Sequence, residues 1–185
     1  MQDADLLVQL AAIAGVFVGF GALIAVRSGG ASDTHEVAYI RSIVSIAVWV
    51  AFVALAPVTL GRYGLAGHDL WLACSVLALV LLLGVFIVNR RTPEMRQEIA
   101  AGSRADLMRE GAIYALLLVG LVVTLILVVL GPVPDQEPAL YLTAVELGLL
   151  ATALTLLFLV FWQRRPQPVS DPAVLPAPGG QHRRP

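Results

Sequence analysis

The chain has 185 residues, of which 58% are hydrophobic and only 14% charged, and its formal net charge is −1. A soluble domain runs at about 45–50% apolar and about 25% charged, and this charge balance gives nucleic acid no electrostatic footing. The arithmetic excludes a soluble globular enzyme, a nucleic-acid-binding domain and a disordered protein, and points to a multi-pass membrane protein.

The apolar excess falls into five runs, 6–26, 40–60, 70–88, 112–130 and 139–162. Of the 12 basic and 13 acidic residues, only Arg41 and Glu146 lie inside them. A helix rises about 1.5 Å per residue, so about 20 apolar residues cross the hydrocarbon core. A backbone in lipid must satisfy its own hydrogen bonds, which makes each run helical. The expected fold class is therefore all-α: a transmembrane bundle of five spans over residues 1–162, followed by a Pro- and Arg-rich tail, 163–185, without helical periodicity.

The first run follows an acidic Met1-Gln2-Asp3-Ala4-Asp5 and is longer than a signal peptide's apolar core, so it is read as a retained span. Ala11, Gly15 and Gly19 recur at i+4 and form a small-residue ridge, expected to pack inside the bundle or to face a second copy. The second run holds a polar stripe, Arg41, Ser45 and Trp49, spaced i, i+4, i+8 with Ser42 beside it. A helix–helix interface is the leading reading and a ligand-lined vestibule the alternative. Pro57 predicts a kink or an early end to this helix.

The third run contains the only cysteine, Cys74, which excludes an intrachain disulfide. Between the third and fourth runs, 92–111 mixes arginine and glutamate with apolar residues, as a solvated connector or a short surface helix would. The turn 131–138 is short, acidic and stiffened by three prolines. The fifth run carries a second small ridge, Ala144, Gly148, Thr152 and Thr155.

Arginine placement gives an orientation. Alternate flanking segments hold 11 and 1 of the arginines, so the N-terminus is expected outside and the C-terminus in the cytoplasm of a cell (plasma or inner) membrane. Tyr63, Trp71 and Tyr141 fall at the outer boundary and Tyr39, Tyr114 and Trp162 at the inner one, where amphipathic rings prefer to lie. Trp49 alone among the tyrosines and tryptophans sits mid-span.

Glu146 is the one charge the membrane does not explain. It lies roughly 11 Å below the outer boundary by helix rise, where an acidic residue costs on the order of 3 kcal/mol on the insertion scale. Gln9, Cys74 and Ser75, and Thr124 fall roughly 5–9 Å below the same boundary. Glu146, Gln9, Ser75 and Thr124 are thus the candidate intramembrane polar site, acting as a proton or cation site or as an interhelical hydrogen-bond clamp. The histidines His35, His68 and His182 have no metal-ligand spacing, and no nucleophile–base–acid set shares one depth. Neither a catalytic residue, a metal site nor a cofactor is expected.

The segments Ala14-Gly-Val-Phe-Val-Gly-Phe-Gly-Ala-Leu-Ile24 and Arg62-Tyr-Gly-Leu-Ala-Gly-His-Asp-Leu-Trp71 are similar to ones in small bacterial multi-pass membrane proteins of uncharacterised function. The resemblance covers about the first half of the chain, implies a bacterial plasma membrane and brings no activity. The functional expectation is a non-catalytic accessory, assembly or sensing subunit, with the bilayer and either a second copy or another membrane protein as partners. The alternative is a small oligomeric transporter or channel using Glu146.

Overall fold

The computed structural model describes residues 2–27, 34–90 and 104–163. Within them the chain forms α1 (Gln2–Arg27), α2 (Thr34–Arg62), α3 (Gly67–Arg90), α4 (Arg104–Leu130) and α5 (Glu137–Gln163). A single 3-10 turn, Pro134–Gln136, leads into α5, and no strand occurs among the described residues. The protein is an all-α bundle whose five helices are each long and apolar enough to cross a membrane, the build of a multi-pass membrane protein.

α2 and α5 are the most buried helices and form the centre. α1 lies along α2 and also touches α5, while α3 and α4 pack on each other and each on α5, with α3 also against α2. The main core joins Leu7 and Ala14 of α1, Val50 and Val53 of α2, Leu125 of α4 and Val145 of α5. A smaller cluster of Ile40, Ile43 and Leu159 sits at the end of the bundle where α2 begins and α5 ends. Large apolar side chains also face outward, Leu23, Phe52 and Leu116 among them. In water such a surface would drive association; against lipid tails it costs nothing.

Two tight turns close the end of the bundle opposite that smaller cluster. Just beyond α2, Gly64 with a φ of +92° reverses the chain while its N–H donates to the Gly61 carbonyl. α4 stops at Gly131, φ +62°, whose N–H bonds the carbonyls of Leu127 and Val128. Both positions need the left-handed region, which glycine enters without a side-chain clash.

Three features differ from the sequence expectation. Of the two expectations for Pro57, the early helix end does not occur: α2 runs on to Arg62 with the proline inside it. Tyr141, expected at the outer interface, is completely buried. Residues 104–111 extend α4 by two turns rather than belonging to a connector; residues 92–103 of that segment and the tail beyond 163 lie outside the described residues.

Candidate functional site

The four residues of the expected polar layer share a depth but not a place. Glu146 and Gln9 are exposed, facing away from the bundle. Ser75 is fully buried and its Oγ has no hydrogen-bond partner. Thr124 is half-buried and donates to its own helix, to the carbonyls of Gly120 at 3.1 Å and Leu121 at 2.9 Å. Helix geometry explains the scatter. At about 100° per residue, Glu146 stands about 200° around α5 from Gly148, and Gly148 faces α2, where a Cβ would come within 2.8 Å of Val50 and 2.9 Å of Trp49.

The small-residue ridges divide the same way. Ala144, Gly148, Thr152 and Thr155 of α5 are all buried. On α1, Ala11 is buried, but Gly15 and Gly19 are exposed, with open space where a Cβ would stand. A strict i+4 ridge rotates by about 40° per step, so it leaves the contact face, which instead follows Leu7, Leu10, Ala14 and Gly21. Gly21 makes the close approach, with the Val44 side chain 2.8 Å from its absent Cβ.

The polar stripe of α2 also splits. Arg41 is exposed, Ser45 is half-buried and Trp49 is buried, donating Nε1–H to the Ala78 carbonyl of α3 at 3.0 Å. Trp49 thereby lies away from the interfacial belts for a reason: its one polar atom is satisfied inside the bundle. Its ring also lines a half-open cavity of about 700 Å3 bounded by α2, α3, α4 and α5. That volume falls in the range of small-molecule sites. The walls are apolar, from Leu79, Leu82, Leu121 and Leu147, and the polar contributions come from Ser42, Asn89 and Tyr114 at one end. The Tyr114 hydroxyl donates to Thr155 Oγ1 at 2.8 Å, which fixes the ring at the mouth.

A buried acid exists, but it is not the one singled out by depth. Glu137, the first residue of α5, is 2% exposed, and its Oε1 lies 2.6 Å from His68 Nδ1 at the start of α3. A carboxylate in the first turn of a helix also meets the favourable end of the helix dipole. Gly131 leaves room for the pair, since a Cβ there would come within 3.0 Å of His68 Cε1. The signal for this contact was present as an acidic residue opening an apolar run and a histidine opening another. Spacing could not show that the two helix starts are adjacent. No group of three or more His, Cys, Asp or Glu is placed to hold a metal ion among the described residues.

The architecture and the cavity define a class: an all-α, multi-pass membrane-type bundle with an apolar chamber between four of its helices. No protein-family model matches the chain, and neither a curated protein nor a solved structure matches it.

Proposed function

We propose that the chain is a non-catalytic subunit of a bacterial plasma membrane that assembles through the face of α5 carrying Glu146, against a second copy of itself. The observation that carries this reading is the exposure of Glu146 on an apolar helix face beside Leu150. A carboxyl in hydrocarbon gains most from a hydrogen-bonding partner on a neighbouring helix. A second copy offers such a partner, because the same carboxyl then stands opposite across a two-fold axis. Among accessory, assembly and sensing roles, this geometry favours assembly. The 11-to-1 arginine asymmetry supports an outside N-terminus and a cytoplasmic C-terminus, and the resemblance of residues 14–24 and 62–71 to bacterial membrane proteins supports the location.

The test is disulfide cross-linking in native membranes, in a C74A background so that Leu150→Cys supplies the sole thiol. The expected result is a dimer from L150C, loss of that dimer when Glu146→Leu is added, and none from Phe52→Cys on the exposed face of α2. A monomer on blue-native gels together with no L150C product would overturn the reading. Transport through Glu146 would need a path between copies, because the residue does not line the internal cavity.

A further inference from the structure

We propose that the cavity between α2, α3, α4 and α5 is a binding site for one acyl chain of an anionic phospholipid, whose headgroup rests at the end marked by Ser42, Asn89 and Arg41. The inference is independent of self-association, which uses the outer face of α5.

Three observations carry it. The first is polarity along the chamber. Ser42, Asn89 and Tyr114 lie at the ends of their apolar runs, whereas Trp49 and Leu79 lie about 10 and 15 Å deeper by helix rise. The chamber thus grades from a polar end at interface depth to an apolar deep end, the profile of an amphiphile lying parallel to the helices.

The second is the side opening. Leu83 and Phe86 of α3 and Leu118 of α4 line the cavity and are at the same time exposed. The gap between α3 and α4 therefore opens onto the apolar belt of the bundle, where lipid tails and not water lie. An entrant from that side is already a membrane component.

The third is charge. Arg41 places a positive charge at this end of the bundle. It is exposed and next to Ser42, which lines the mouth. A guanidinium there pairs with a phosphate at headgroup level.

Trp49 makes the proposal testable, because it lines the deep end of the cavity while only 2% of it is exposed. In full-length protein carrying Trp71→Phe and Trp162→Phe, Trp49 is the only tryptophan, and excitation beyond the tyrosine absorption band selects its emission. Reconstitution into vesicles of a zwitterionic phospholipid, with an increasing fraction of phosphatidylglycerol brominated on its chains, is then followed by fluorescence. The expected result is saturable loss of most Trp49 emission at a low brominated fraction. Arg41→Gln should shift saturation to a several-fold higher fraction, and Ala151→Phe, which projects a ring into the cavity, should reduce quenching several-fold. Ser42→Phe, which narrows the polar end, serves as a second obstruction should A151F fail to fold, with helical circular dichroism as the check on both. Absence of quenching would overturn the proposal, as would quenching that rises linearly and equally with brominated phosphatidylcholine. A Leu83→Cys variant that cross-links between copies while quenching is absent would assign the gap to a second copy instead.

Discussion

Tyr141 of α5 donates its hydroxyl to the backbone carbonyl of Val53 in α2, at 2.8 Å and in a fully buried position. In an unbroken helix that carbonyl would accept from the N–H of residue 57, but residue 57 is proline and has none. The tyrosine supplies the missing donor. This explains together why α2 continues past Pro57 and why the Tyr141 ring turns into the bundle.

Removing the hydroxyl with Tyr141→Phe leaves a buried carbonyl unsatisfied, which costs about 1–3 kcal/mol. Pro57→Ala restores a backbone donor to Val53, so the same Y141F change should cost less in that background, with a coupling of about 1 kcal/mol. Equilibrium unfolding in mixed micelles measures all four proteins of the cycle. Strictly additive losses would show that the hydroxyl and the proline do not share this carbonyl.

The His68–Glu137 contact ties the start of α3 to the start of α5 across the turns that close that end of the bundle. His68→Ala leaves the Glu137 carboxyl buried without its partner. Because the histidine side chain is 44% exposed and water can partly replace it, the expected loss is about 1 kcal/mol. Glu137→Gln keeps an oxygen that can accept from Nδ1–H and should lose less. Amide exchange in residues 131–136 should speed up in H68A and change little in E137Q. Equal protection in H68A and the parent protein would make the contact incidental.

What the sequence made legible was depth, and what it hid was azimuth. Five helices and their approximate limits follow from run length, because the bilayer imposes one thickness on every span. Glu146 and Glu137 show the limit of that reasoning. The former attracted attention by being deep, yet faces outward; the latter sits at the edge of its run, yet is buried against His68. The rotation of each helix is fixed by contacts such as Gly148 against Trp49, which join residues 99 positions apart. No periodicity along one helix records such a contact. The cavity was half legible: the stripe containing Trp49 and Ser42 marked one wall, while Asn89 and Leu118 reach it only through tertiary packing.

Glycine substitutions separate the two ridges. Gly148→Ala drives a Cβ to within 2.8 Å of Val50 and 2.9 Å of Trp49, an overpacking that costs about 1–3 kcal/mol. Gly15→Ala and Gly19→Ala meet open space, and should change stability by no more than about 1 kcal/mol, in the favourable direction that helix propensity gives alanine. Both α1 variants should also retain the L150C cross-link, since the proposed interface lies on α5. Loss of that cross-link in G15A or G19A would move the interface to α1.

Ser75 gives the prediction with the least expected sign. Its hydroxyl is buried without a hydrogen-bond partner, and a buried polar group left unpaired is a cost that an apolar replacement removes. Serine is only slightly larger than alanine, so Ser75→Ala leaves little void. The variant should be as stable as the parent or more stable by about 0.5–1 kcal/mol. Thr124→Val is the contrast, because Thr124 already bonds the carbonyls of its own helix and its replacement should be close to neutral. If Ser75 instead belonged to a working polar layer with Glu146, S75A would destabilise the bundle. The opposite exposures of Ser75 and Glu146 argue that it does not, and thermal unfolding of S75A, E146L and the double variant decides. The two changes should add without coupling, as expected for side chains that share no partner.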